Sequence, residues 1–101
     1  MLVFDKSLLL LSLLVREVLP RIREASLKSQ LRRAAQAVPL LIAESRSARG
    51  ARNPDGFSRA LGEAREVKAA LQVAAGYVTA GEDVYDLADH VCAMLFKLSR
   101  A

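Results

Sequence analysis

Apolar residues recur at steps of three and four along three long stretches of this chain, and only a helix gathers such positions onto one side. The most regular stretch is Ala25 to Ser45, where Leu27, Leu31, Ala34, Ala35, Val38 and Ile42 draw a single stripe. Lys28, Arg32, Arg33 and Gln36 fall on its flanks and back. Pro39 interrupts the run, but the pattern continues to Ile42, so we read a kink rather than a stop. Ser26 is the expected cap of this helix. With Leu31 at the centre of the core face, Arg33 and Leu40 point about 180° away at roughly 100° per residue. An outward Leu40, with Leu41 on the flank, implies a second contact.

The other helices follow from the same rule. Asp5 is placed to cap a first helix of Lys6 to Leu19, whose run SLLLLSLLVREVL is apolar nearly all round and therefore expected to be covered on more than one side. Pro20 ends or kinks it. Arg21, Arg23 and Glu24 then lie in the connection or a short extension. Between Ser45 and Gly56, turn-forming Ser, Gly, Asn, Pro and Asp mark the main loop. It carries Arg46, Arg49 and Arg52 against Asp55, and it either follows a phosphate backbone or is a solvated linker.

A third helix is expected over Phe57 to Ala80, with Phe57, Ala60, Leu61, Ala64, Val67, Leu71, Ala74, Ala75 and Val78 as its stripe. Gly62, Ala69, Val73 and Ala80 line its back; small residues there let another helix approach, and we assign them with Leu40 and Leu41 to a subunit interface. Gly81 is the expected C-terminal cap. The fourth helix, Glu82 to Leu98, repeats Val84, Leu87, Val91, Met94, Leu95 and Leu98 close to a heptad seam. Four helices with short connections predict an all-α, antiparallel up-down-up-down bundle forming one domain over residues 1–101. The 52% apolar content is more than one core of this size requires, which favours self-association.

Charge and chemistry narrow the function. The net charge of +4 understates an asymmetry, because an excess of six positive charges lies between Arg16 and Lys68 while Glu82, Asp83, Asp86 and Asp89 form an acidic block. Such a distribution points to polyanion binding on one surface, although acids also favour helix starts through the macrodipole. The single Cys92 allows no intramolecular disulfide and no cysteine-based metal site. Ser7 to Val15 is too short for the roughly 20 residues a bilayer requires and lacks a cleavage pattern, so the expected location is the cytoplasm, with no membrane partner. Glu63, Glu66 and Glu44 are the available carboxylates, but a di-iron bundle needs Glu-x-x-His motifs, which this chain lacks. His90 has no nucleophile placed beside it and is expected at the surface or an interface, and Tyr77 and Tyr85 are expected to serve packing or an interface. No metal, no cofactor and no enzymatic activity are therefore expected.

Gln30 to Ser45, QLRRAAQAVPLLIAES, resembles the signature Q-(I/L)-R-R-A-x-x-S-(I/V)-x-x-N-I-A-E-G of a bacterial four-helix-bundle family. That family includes 23S rRNA intervening-sequence proteins and the accessory variability determinants of diversity-generating retroelements. Gln30, Arg32, Arg33, Ala34, Val38, Ile42, Ala43 and Glu44 stand in matching places. A second family segment, F-x-x-A-x-G-S-x-x-E, is similar to Phe57, Ala60, Gly62 and Glu66. Ala37, Leu41 and Ser45 replace the usual Ser, Asn and Gly, and Glu63 replaces a Ser. The resemblance implies a barrel-like homopentamer and, in the retroelement branch, a basic surface that binds RNA and DNA and assists a reverse transcriptase. The residues expected to meet phosphates are Arg32, Arg33, Arg46, Arg49 and Arg52. A structural interaction module without nucleic-acid binding is the alternative.

Overall fold

A computed structural model describes residues 1–46 and 53–100. Its secondary structure is helical: α1 (Leu2–Leu13), α2 (Ala25–Ser45), α3 (Pro54–Ala74) and α4 (Glu82–Ser99). Consecutive helices pack side by side, and α1 also meets α4. This four-helix arrangement, compatible with a four-helix bundle, measures 43 × 22 × 19 Å.

The expected stripes form most of the core, with Val78, Leu87, Met94 and Leu98 half-buried at its edge and Ala75, beyond the end of the third helix, exposed. Leu27, Leu31, Ala34, Ala35, Val38 and Ile42 of α2 are all buried, as are Phe57, Ala60, Leu61, Ala64, Val67, Leu71 and Ala74 of α3 and Val84, Val91 and Leu95 of α4. Helix α2 runs through the buried Pro39 to Ser45. The ring removes one rung of the hydrogen-bond ladder, while burial of the surrounding stripe keeps the helix going.

Several boundaries differ from expectation for local reasons. Asp5 is not the first cap, because α1 starts at Leu2 and Asp5 sits within its first turn, where the macrodipole favours an acid. Ser26 is not the cap of α2 either. Glu24 takes that place, its carboxylate accepting from the Ser26 N–H at 3.3 Å. The loop is shorter than Ser45 to Gly56, since α2 reaches Ser45 and Pro54 already occupies the first turn of α3, a position suited to a residue without an N–H. Asn53 caps α3 by accepting from the Gly56 N–H, and its own N–H donates to the Ser45 carbonyl, joining the two loop ends.

Helix α3 ends at Ala74 rather than Ala80. Three-residue hydrogen bonds to Val73 and Ala74 from the N–H groups of Gly76 and Tyr77 tighten the chain into a turn. Ala80 therefore lies in the connection and not on the back of α3, and Gly81 is the N-cap of α4 with an extended backbone rather than a C-terminal cap.

Pro20 produces a third outcome beyond a simple stop or kink. Ahead of it the helix widens into a π turn over Leu14–Val18, with the Leu19 N–H donating to the Leu14 carbonyl five residues back, and then narrows to a 3-10 turn over Leu19–Arg21. The extra residue brings adjacent Val18 and Leu19 both into the core along with Leu14 and Ile22. Arg21 donates to the Thr79 carbonyl at 2.8 Å and ties this segment to the α3–α4 connection.

Candidate nucleic-acid interface

The residues that carry the two sequence motifs meet across α2 and α3. Arg33 is held by two carboxylates, at 2.7 Å from Glu66 and 3.5 Å from Glu63, and Gln30 donates to Glu66 at 3.5 Å. Helical spacing explains the fork, since Gln30 and Arg33 lie three apart on α2, as do Glu63 and Glu66 on α3. The hydrogen bond from Arg33 holds the Glu66 carboxyl below its ordinary range, and the same pair raises Arg33. Arg33 is thus exposed and paired with acids of the same chain. Glu63, which stands where the resembling family has Ser, supplies the second carboxylate.

Ser45, in place of the motif glycine, is buried, and its hydroxyl donates to the Leu41 carbonyl at 2.6 Å. It packs directly on Gly56, where any Cβ would collide with the Ser45 hydroxyl. Leu41, in place of the motif asparagine, is half-buried against the core.

The remaining expected contacts separate. Arg32 and Arg46 are exposed, and neither has an ion-pair partner among the described residues. Arg49 and Arg52 lie outside the described residues. The expected interface residues also divide. Leu40, 64% exposed, lines an apolar groove of about 330 Å³ between α1 and α2 with Phe4, Leu8, Leu11 and Pro39. Ala69 and Val73, the latter 58% exposed, border a separate depression with Leu27 and Gln30. Gly62 is exposed with open space at its Cα. Ala80 is half-buried near Arg16, Arg21 and Thr79. Helix α1 and the π turn after it are covered on fewer sides than their composition implies, because Leu2, Leu8 and Leu9 of α1 and Val15 of the turn are exposed.

A basic groove between α3 and α4 escaped the sequence reading. It is open, has a volume of about 600 Å³, and is bordered by Arg65, Lys68, Asp89, Phe96 and Lys97 over a floor that includes Leu61 and Cys92. Lys68 is paired with Asp89 at 2.6 Å, which raises the Lys68 pKa. Phe96 is 43% exposed, and the Arg100 guanidinium lies 5.2 Å from its ring centroid, within cation–π range. The signal was present in α4, where Phe96 is a large apolar residue off the Val84–Leu98 seam with Lys97 and Arg100 beside it. Burial pushes the pKa of the Cys92 thiol up.

Among the described residues there is no cluster of three or more metal-ligating side chains, and no helix is long and apolar enough to cross a membrane. Tyr85 packs as expected, its hydroxyl donating to the Leu71 carbonyl at 3.3 Å. A model of the family described as 23S rRNA-intervening sequence protein matches residues 1–97, the family that the two motifs resemble. No curated protein and no solved structure matches the chain.

Proposed function

Because the chain belongs to the 23S rRNA-intervening sequence protein family, we propose that it is a non-enzymatic, basic, cytoplasmic oligomer that binds RNA through phosphate contacts. The observation that carries this reading is the disposition of its cations: Arg32 and Arg46, at separate points along α2 and its end, are exposed and have no ion-pair partner among the described residues. Contacts of this kind position a nucleic acid without reading its bases. DNA would be held by the same chemistry, and service to a reverse transcriptase is the extension that the retroelement branch of the resemblance adds.

Leu8 and Leu40, exposed along the α1–α2 groove, support self-association, since apolar side chains grouped there lose unfavourable contact with water when a second copy covers them. We propose the homopentamer that the motif resemblance implies. Five copies would bring together five sets of weak phosphate contacts and gain affinity through effective concentration.

A second reading, a protein-interaction module without nucleic acid, is favoured by one observation. The most prominent motif cation, Arg33, is neutralised within the chain. Size-exclusion chromatography with light scattering, followed by an RNA gel shift at two salt concentrations, separates the two. A pentamer whose RNA shift weakens with salt is the expected result. A monomer would overturn the oligomer, and a pentamer that leaves RNA unshifted would favour the second reading.

A further inference from the structure

We propose that the α3–α4 groove is a seat for an unpaired stretch of RNA, with one base stacked against Phe96 and the flanking phosphates met by Arg65, Lys97 and Arg100. The inference rests on the RNA-binding reading and adds to it a second surface and a strand preference. Its expected contacts are on α3 and α4 and not on the α2 arginines.

Three features of the groove converge on this occupant. The first is charge. Lys68 is neutralised by Asp89, while Arg65, Lys97 and Arg100 have no ion-pair partner among the described residues, so the border is positive on both helices. The second is the aromatic ring. A solvent-exposed Phe96 would be an unfavourable surface residue in isolation, but a nucleobase face covers it and removes both from water, which is how single-strand binders gain affinity with little regard to sequence. The third is shape. The groove is open to solvent and has an apolar floor at Leu61, which suits a segment of alternating planar and anionic units laid across it rather than an enclosed small molecule.

Duplex RNA fits these features poorly. Its bases already cover one another's faces, and a helical duplex offers a protein mainly phosphates and 2′-hydroxyls. Phe96 has nothing to stack on in such a partner. The Arg100 guanidinium lies over the ring at 5.2 Å from its centroid, so an incoming base takes its place on that face and leaves the cation to meet a flanking phosphate.

The test uses the full chain, a dye-labelled single-stranded oligouridylate and an RNA duplex of equal length. Phe96→Leu keeps apolar cover and removes the π face; it is expected to weaken single-strand binding by about fivefold or more while leaving duplex binding within about twofold. Lys97→Gln should weaken single-strand binding and lower its salt dependence, without any change in the core. Since the chain has no tryptophan, Phe96→Trp places a single reporter in the groove, and its fluorescence should be quenched by the oligouridylate and not by the duplex. Native protein that binds RNA, together with a Phe96→Leu variant that binds single strands equally well, would overturn the groove and leave the phosphate-binding reading intact. Quenching of the Phe96→Trp reporter by both RNAs alike would overturn the strand preference. Native protein that binds neither RNA would overturn the proposed function itself, and the groove with it.

Discussion

The two seams that flank α3 use charge in opposite ways. On the α2 side Arg33 faces two carboxylates and Gln30 adds a further donor, so the cation ties helices together. On the α4 side a single acid, Asp89, neutralises Lys68 and leaves Arg65 and Lys97 facing solvent beside an exposed ring. The arginine that stands out most in the sequence is paired across two helices, and cations that attract no attention there border the open groove. What decides between the roles is the neighbouring helix, which the linear pattern does not name.

The largest effect that would break this comparison is loss of the core both seams share. Phe57 is fully buried at the start of α3, and Phe57→Ala should destabilise the fold by about 3–5 kcal/mol. Chemical denaturation followed by circular dichroism would measure it, and a loss below about 1 kcal/mol would show that the site collapses freely.

Next comes the close contact at the head of the α2–α3 seam. Gly56→Ala drives a methyl into Ser45 and should cost about 1–3 kcal/mol despite alanine's better helix propensity. Ser45→Gly in the same chain should recover part of that loss. A Gly56→Ala variant as stable as the native chain would mean that Ser45 swings aside without cost.

The third effect concerns binding. If Arg33 is a fastening and Arg32 a phosphate contact, Arg32→Gln should reduce RNA affinity several-fold more than Arg33→Gln at equal salt. Equal losses would return Arg33 to the binding surface.

The smallest effect is a pH dependence. Glu66 titrates below its ordinary value of 4.5 in the folded chain, so its pairing with Arg33 contributes stability above about pH 4.5 and loses it as the pH falls through the folded pKa. The pair is solvent-exposed, and a melting difference of about one or two degrees between the native chain and Arg33→Gln is expected at pH 7. That difference should shrink as the pH falls through the folded pKa of Glu66 and vanish below it. A constant difference across the range would mean that Arg33 acts through packing alone.

Much of the fold was legible in the spacing of apolar residues, because burial selects one face of a helix whatever its neighbours are. Leu27 through Ile42 on α2 and Phe57 through Ala74 on α3 illustrate this, and so does the outward Leu40. Helix ends were less legible, since they turn on single hydrogen bonds: Glu24 rather than Ser26 caps α2, and the turn at Gly76 detaches Ala80 from the α3 stripe. The π turn before Pro20 was hidden for a related reason. A proline announces a lost hydrogen bond but not how the backbone absorbs it. Of the candidate site, exposure of Arg32 followed from helical spacing and that of Arg46 from its place in the loop, whereas the capture of Arg33 required knowing that Glu63 and Glu66 lie across from it.

The central claim is that unpaired cations on this helical scaffold hold RNA by its phosphates. Its most direct test is the affinity of the native chain for a labelled RNA, measured by fluorescence anisotropy between 50 and 200 mM salt. With about five phosphate contacts to a single strand, the account predicts a loss on the order of a hundredfold over that interval. Affinity that holds steady across the same interval would contradict it.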